Sequence, residues 1–350
     1  SLIKAKPGTN VVASEVLVRL PLCKLASVAE GQAKVELMTA LGYMDNTSLS
    51  AYYPGIKNAM KTMAITDLTL AHRIFVNYTK EIDPKFITYS VDNFGIRVEK
   101  VGFNYPKAAT THINNLISSI TFKRITNILE DSDGTWEFPF DLRLTKLTKF
   151  QRLDGKVITI PMMSKTDPFQ HVATGDCQCV YSGCRLDIGM CTSAYSFEDK
   201  RRDKGYVENL VRSMNTRPMK VTFPRFKIKT FVDWTGFLKE LGINSIFNAT
   251  SSGLEGIFIN STKPIVLNKI KQKVYVQIDE VGVARFWNAI NGAPQVPTQM
   301  PNFIDLPQFT ADRPFYFEVS LDFDTARYKM FAGVYYGPEE TPTNANDFHF

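Results

Sequence analysis

The sequence predicts a single α+β domain, and three observations predict it. Apolar residues recur at helical spacing through the first third of the chain. They alternate with period two through the last third. No regular βαβ alternation joins the two regions, which sets aside a doubly wound parallel sheet.

Residues 22 to 41 place Leu22, Leu25, Ala26, Ala29, Ala33, Leu37 and Leu41 at helical spacing. Gly31 interrupts this run, so one helix and two short ones fit equally well. A second helix is expected between Ala108 and Leu129, where Ile113, Leu116, Ile117, Ile120 and Ile128 share a face. A third follows Asp233, which can cap it, with Phe237, Leu238 and Leu241 turned inward and Gly242 closing it. Strand alternation begins at RFKIKTF, where Phe226, Ile228 and Thr230 face one way while Arg225, Lys227 and Lys229 face the other. In KVYVQID, Val274, Val276 and Ile278 form one face, and in FYFEVSL so do Phe315, Phe317, Val319 and Leu321. MFAGVYYG reads as a further strand. From Asn288 to Pro307 the chain carries Pro294, Pro297, Pro301 and Pro307, so it must be an exposed connection rather than a ladder strand.

At 350 residues and 44% hydrophobic, the chain can bury a sizeable core. No Gly/Ser- or Pro-rich linker divides it, and no apolar run approaches the length of a bilayer span. The opening SLIKAKPGTN is unlike a signal peptide, so any such leader has been removed. The net charge is +6, with basic clusters at Lys200 to Lys204 (KRRDK) and Lys269 to Lys273 (KIKQK). These read as solvated surface, with a polyanion or membrane-surface site as the sharper alternative; nothing resembles a nucleic-acid module.

Cys23 lies in an apolar helical stretch and reads as a buried thiol. Cys177, Cys179, Cys184 and Cys191 fall within fifteen residues. Their spacing lacks the paired C-x2-C knuckles of structural zinc sites, which favours disulfides or mixed free thiols over a metal. Four N-x-[ST] triplets, at Asn46, Asn77, Asn248 and Asn260, offer glycosylation sites. With the cysteine cluster they point to a secreted protein.

Enzyme motifs are missing from the sequence. His72, His112, His171 and His349 make no H-E-x-x-H or H-x3-H spacing, and there is no G-x-S-x-G, P-loop or G-x-G-x-x-G. No catalytic residue, metal site or cofactor is expected.

Motifs along nearly the whole chain resemble those of the serpin family. KPGTNVVASEVLV, EGQAKVELMTALGY, LAHRIFV and INNLISSITFKRITNIL follow in the family's order. GTWEFPFD, VITIPMMSKTDPF, VTFPRFKIKT and LKELGINSIF continue it, and ADRPFYFEVSLDFDTARYKMFAGVYYGP closes it. The resemblance implies a serpin fold: three β-sheets, about eight or nine helices, and an exposed reactive loop near the C-terminus. It places one domain over residues 1–338 with the loop region at about 281–312, and leaves 339–350 as a flexible tail. In inhibitory members a protease cleaves the loop, which then inserts into the large sheet and drags the acyl-enzyme with it.

Insertion begins at a hinge. DEVGVARFWNAIN resembles the family pattern at Glu280, Gly282 and Val283, then departs at Ala284, Arg285, Phe286, Trp287 and Asn288, where small residues are expected. The period-two set Val283, Arg285 and Trp287 would turn inward on insertion. By family spacing the scissile bond would be Val296–Pro297, and proline after the bond blocks most serine proteases. Between Leu129 and Gly134 only EDSD stands where the family has a long strand leading to Trp136. Either that strand is deleted or the sequence is incomplete there. The resemblance assigns sheet opening to the regions of Trp136 and Ser14. Glu15 replaces the proline that usually follows Ser14, and Leu116 replaces a helix tryptophan. The expectation is therefore a non-inhibitory serpin-like protein with a binding, carrier, structural or storage role. The alternative is a serine or cysteine protease inhibitor with an atypical loop. A protein partner or protease fits either reading, and the sequence does not set the oligomeric state.

Overall fold

The computed structural model describes residues 8–62, 73–120, 140–174, 177–181, 187–191, 209–210, 212–248, 250–259, 265–280, 306–323 and 326–338. Strand β1 (Val11–Ala13) leads into helix α1 (Glu15–Val28). Ser14 caps α1 by accepting from the Leu17 N–H at 3.3 Å, and Glu15 adds an acid to its first turn. The chain breaks before Gly31, whose φ is 55°, and resumes as α2 (Gly31–Leu41), so the run reads as two helices. Helix α3 (Asn46–Thr62), strand β2 (Arg73–Asn77), helix α4 (Pro84–Phe94), strand β3 (Arg97–Val101) and helix α5 (Pro106–Ile120) follow. On α5, Ile113, Leu116, Ile117 and Ile120 form the half-buried face expected of them, while Ile128 and Leu129 lie outside the described residues.

Strands dominate from Lys146 onward. They are β4 (Lys146–Gln151), β5 (Val157–Thr174), β6 (Cys177–Tyr181), β7 (Asp187–Cys191), β8 (Asn215–Pro224) and β9 (Phe226–Asp233). A short helix α6 (Thr235–Glu240) precedes β10 (Lys271–Ile278), β11 (Gln308–Thr310), β12 (Phe315–Phe323) and β13 (Ala326–Tyr335). Asp233 accepts from the Thr235 N–H at 3.0 Å, and Gly242 ends the turn at φ 89°. Leu241 departs from the expected inward face: it is 68% exposed, because α6 stops one residue earlier and leaves it in the turn.

Among the described residues the strands form three sheets. The largest runs β1-β13-β12-β7-β6-β5-β8-β11, with β4 also on β5. The pair β9–β10 is antiparallel and the pair β2–β3 is parallel. The alternation predicted for β9 and β10 holds. Phe226, Ile228, Thr230, Val274, Val276 and Ile278 are buried, while Lys227, Lys229, Lys271 and Lys273 are exposed.

The core lies between the β9–β10 pair, the large sheet and helix α1. The Phe226 ring stacks on Tyr335 at 4.7 Å and meets Phe317 at 5.2 Å and Phe315 at 5.8 Å. This aromatic cluster fixes β9 against β12 and β13. Among the described residues, no helix is long and apolar enough to cross a membrane.

Candidate functional site: the two ends of β10

Glu280, the acid expected at the hinge, sits at the upper end of β10. Glu280 follows the strand by two residues and is 5% exposed. Three partners hold it. Its carbonyl accepts from the Phe140 N–H at 2.7 Å. Its carboxylate accepts from the Thr145 hydroxyl at 2.6 Å, and Arg225 Nη1 stands 3.7 Å away. A polar ladder runs up to it along β10, with Tyr275 OH donating to Gln277 at 2.5 Å and Gln277 Nε2 donating to Asp279 at 3.2 Å. Burying these groups is tolerable because each is hydrogen-bonded.

Phe140 and Thr145 reach Glu280 because the chain between them is tightly turned. The Asp141 carboxylate accepts from the Arg143 N–H at 2.9 Å and from Arg143 Nη2 at 2.6 Å. Those bonds hold the Asp141 carboxyl below the usual carboxylate range. The Phe140 ring packs edge-on against Phe223 at 5.1 Å, on the strand that leads to Arg225.

The return of the loop region is tied to the same stretch. β11 pairs in parallel with β8, matching Gln308 to Lys220, Phe309 to Val221 and Thr310 to Thr222. Lys220 N donates to Pro307 O at 2.9 Å, and Ala311 N donates to Thr222 O at 2.9 Å. Phe309 is buried. Glu280 at one foot and Gln308–Thr310 at the other therefore both attach to residues between Lys220 and Arg225. Of the 281–312 region, Gly282, Val283, Arg285, Phe286, Trp287, Val296 and Pro297 lie outside the described residues, as do Trp136, Cys184 and Asn260.

The second expected region, Ser14, is clamped to the lower end of β10. Gln272 Nε2 donates to the Ser14 carbonyl at 2.7 Å, and the Ser14 N–H donates to Gln272 Oε1 at 3.1 Å. On the neighbouring strand, Thr230 Oγ1 accepts from the Val12 N–H at 2.9 Å. Strand β1 and the Ser14 that follows it are thus bonded to the two members of the β9–β10 pair. Sequence reasoning named Ser14 and Glu280 but missed Gln272, Thr145 and the pairing role of Arg225.

The remaining candidates scatter. Cys179, on β6, is disulfide-bonded, and Cys191 on β7 faces it in the register, while Cys177 faces Thr174. Cys23 is a free buried thiol, pushed up to about 12 by burial. Asn46 and Asn248 are exposed and Asn77 is half-buried. His171 accepts at Nδ1 from Arg217 at 2.6 Å, and burial, then the Arg217 charge, lowers its pKa. No cluster among the described residues has the composition of a metal site.

One family model, that of serpins (serine protease inhibitors), matches residues 1–338. This chain belongs to the serpin family. Alaserpin of Manduca sexta is 25% identical over 347 residues, covering 92% of this chain and 87% of the relative. Serpin48 of Tenebrio molitor, described as a highly specific serpin, superimposes with a TM-score of 0.79 at 18% identity, covering 97% of this serpin and 94% of that one. Thyroxine-binding globulin in complex with thyroxine superimposes at 0.77 with 16% identity, covering 97% and 95%. At these identities the superpositions show the fold alone. In this chain Gln272 and Glu280 lie at the two ends of β10.

Proposed function

We propose that this serpin is a secreted, non-inhibitory member that acts by binding rather than by trapping proteases. The observation that carries the reading is the pair Arg285 and Trp287 in the period-two set that starts at Val283. β10 supports it. Its inward positions Val274, Val276 and Ile278 are all buried aliphatic side chains. A strand added beside such a layer must bring small apolar groups. Leaving Arg285 buried without a partner would cost roughly 3–5 kcal/mol. Fitting Trp287 where alanine is expected would cost about 1–3 kcal/mol more through overpacking. Pro294 removes a further ladder donor. Trapping needs insertion to outrun deacylation, and these penalties slow insertion. The disulfide at Cys179 supports an oxidising, extracellular compartment, and the exposed Asn46 and Asn248 offer glycan acceptors there.

The test is to mix the protein with a panel of serine and cysteine proteases and run denaturing gels. The expected result is loop cleavage without a detergent-stable complex, and little gain in thermal stability on cleavage. A covalent complex would overturn the reading.

One observation favours an inhibitor instead. Glu280, Gly282 and Val283 keep the hinge pattern, and Glu280 is held in place. The same gels decide between the two readings.

A further inference from the structure

We propose that the exposed rings of Tyr78, Phe103 and Tyr105 are a docking platform for an N-linked glycan carried by Asn77. The parallel register of β2 and β3 brings Asn77 and Val101 to the same end of the pair. A turn follows each strand. Lys80 N donates to Asn77 O at 2.9 Å in one, and Tyr105 N donates to Gly102 O at 2.9 Å in the other. The Tyr78 N–H donates to the Val101 carbonyl at 3.0 Å and ties the two turns together. All three rings on these turns are exposed, Tyr105 by 67%. Gly102 lies between Tyr78 and Tyr105. A Cβ there would stand 3.4 Å from Tyr78 Cδ1 and Cε1 and 3.9 Å from Tyr105 Cδ2. The two tyrosines therefore flank one glycine, and Phe103 is the next residue. Exposed aromatic side chains gathered on two adjoining turns mark a binding surface.

The side chains beside the rings set what covers them. Asn77-Tyr78-Thr79 is an N-x-[ST] triplet on this same surface. Asn77 Oδ1 accepts from the Thr79 N–H and from its hydroxyl, each at 3.3 Å, which turns the amide nitrogen toward Asn104. Nδ2 donates to Asn104 Oδ1 at 3.3 Å, and Asn104 lies between Phe103 and Tyr105 in the chain. The acceptor nitrogen is thus one hydrogen bond away from the turn that carries both of those rings. A pyranose has an apolar C–H face that lies on a ring and a polar edge that bonds to amides and hydroxyls. Tyr78, Phe103 and Tyr105 receive the first, and Thr79 and Asn104 the second. A purely apolar partner would leave these polar groups unmatched. In the modification, Nδ2 attacks the anomeric carbon of an oligosaccharide held on a lipid diphosphate. The N–C bond forms, the C–O bond to the diphosphate breaks, the lipid diphosphate leaves, and Nδ2 gives up one proton. The remaining N–H keeps Asn104 as its partner. Transfer meets the chain before it folds, so the half-burial of Asn77 is no bar. Only a secreted chain meets that donor, so the platform rests on the secretion reading proposed above.

The test passes the full chain through the secretory route of insect cells behind a cleavable leader, and peptide mass mapping reads the occupancy of each triplet. Hydroxyl-radical footprinting then compares the glycosylated protein with Thr79→Ala, which removes the acceptor triplet. Labelling of Tyr78, Phe103 and Tyr105 should be roughly threefold lower with the glycan than without it. Phe231, an exposed ring on β9 outside every triplet, should label equally in both. In the converse test, Phe103→Ser/Tyr105→Ser frees the glycan from its platform, and an endoglycosidase should trim it from the folded protein several-fold faster. If a variant does not fold, trimming the glycan on the folded wild type gives the same footprinting comparison. An unmodified Asn77 beside a modified Asn248 overturns the proposal and leaves the secretion reading standing. A modified Asn77 with unchanged labelling of the rings overturns it as well. Protein found inside the cells of its natural source, with no glycan on any triplet, would bring down the secretion reading and the platform together.

Discussion

Gln272 grips Ser14 with both ends of its amide, donating to the carbonyl at 2.7 Å and accepting from the N–H at 3.1 Å. Ser14 is fully buried and Gln272 is 5% exposed, so neither group has water in reserve. The clamp joins the start of α1 to the base of β10.

Replacing this glutamine should therefore loosen the whole pair. Gln272→Ala leaves a buried N–H and a buried carbonyl unmatched and is expected to destabilise by about 2–4 kcal/mol, read by denaturant unfolding. Gln272→Glu discriminates further. A carboxylate accepts from the Ser14 N–H but faces its carbonyl with no proton to donate. That variant should be weaker than wild type at pH 7 and recover part of the loss as the carboxyl is protonated in acid. Equal stability of the glutamate variant at both pH values would show that the amide does not hold the clamp.

At the other end of the strand, Glu280 and Arg225 form a pair with side chains 7% and 18% exposed. Glu280→Gln keeps an acceptor for the Thr145 hydroxyl and removes the charge. We expect a loss of roughly 1–3 kcal/mol and faster proteolysis between residues 281 and 305. Because Arg225 has other contacts, a double-mutant cycle with Arg225→Gln is needed to isolate the pair. A coupling energy near zero would remove Glu280 from its role as anchor of the loop region.

Legibility from sequence tracked the distance over which burial is decided. The faces of β9 and β10 were legible because period-two alternation is local, and the break at Gly31 was legible because a single residue makes it. Gln272 was not. It lies in KIKQK, which reads as a solvated polar run, and its burial is set by Ser14, 258 residues away. Leu241 misled for the opposite reason: its spacing fits the helical face, but the helix ends before it. Glu280 was found through resemblance to family motifs. Its partners Phe140 and Arg225 lie within recognised motifs and Thr145 lies just after one, but nothing local shows that they converge on one carboxylate.

Gly333 lets β1 and β13 approach closely. A Cβ at this position would stand 2.4 Å from the Val11 carbonyl oxygen and 2.7 Å from Phe317 Cζ. The first is backbone and the second a fully buried ring, so neither can yield cheaply. Gly333→Ala should force β1 off the sheet edge and destabilise by about 2–4 kcal/mol, visible as a lower Tm. Gly155, with open space around its Cβ position but a φ of 80°, gives the comparison: alanine there should cost only about 1 kcal/mol, from the backbone alone. Matching losses at the two sites would mean that the close approach does not matter.

Lys24 supplies a pH-dependent stability that sequence reading did not anticipate. It projects from α1 into the core, is 0% exposed, and its Nζ has no hydrogen-bond partner. The ammonium rests instead on rings of α4, at 4.1 Å from Phe86, 4.4 Å from Tyr89 and 5.8 Å from Phe94. The rings attract the cation but do not replace its lost water, and burial lowers its pKa to about 8. In the unfolded chain the amine titrates near 10.4. Between these values the unfolded state binds the extra proton, so stability from this group rises with pH through that window. Below about pH 8 the burial penalty is fully present, and above about 10.5 it has gone. Lys24→Met removes the charge at similar volume. We expect it to stabilise the protein at pH 7 by about 1–3 kcal/mol and to flatten the alkaline rise in wild-type stability. Unfolding free energies at pH 7, 9 and 10 for the two proteins provide the check. If Lys24→Met destabilises at pH 7, the ring contacts outweigh desolvation and the sign of the argument reverses.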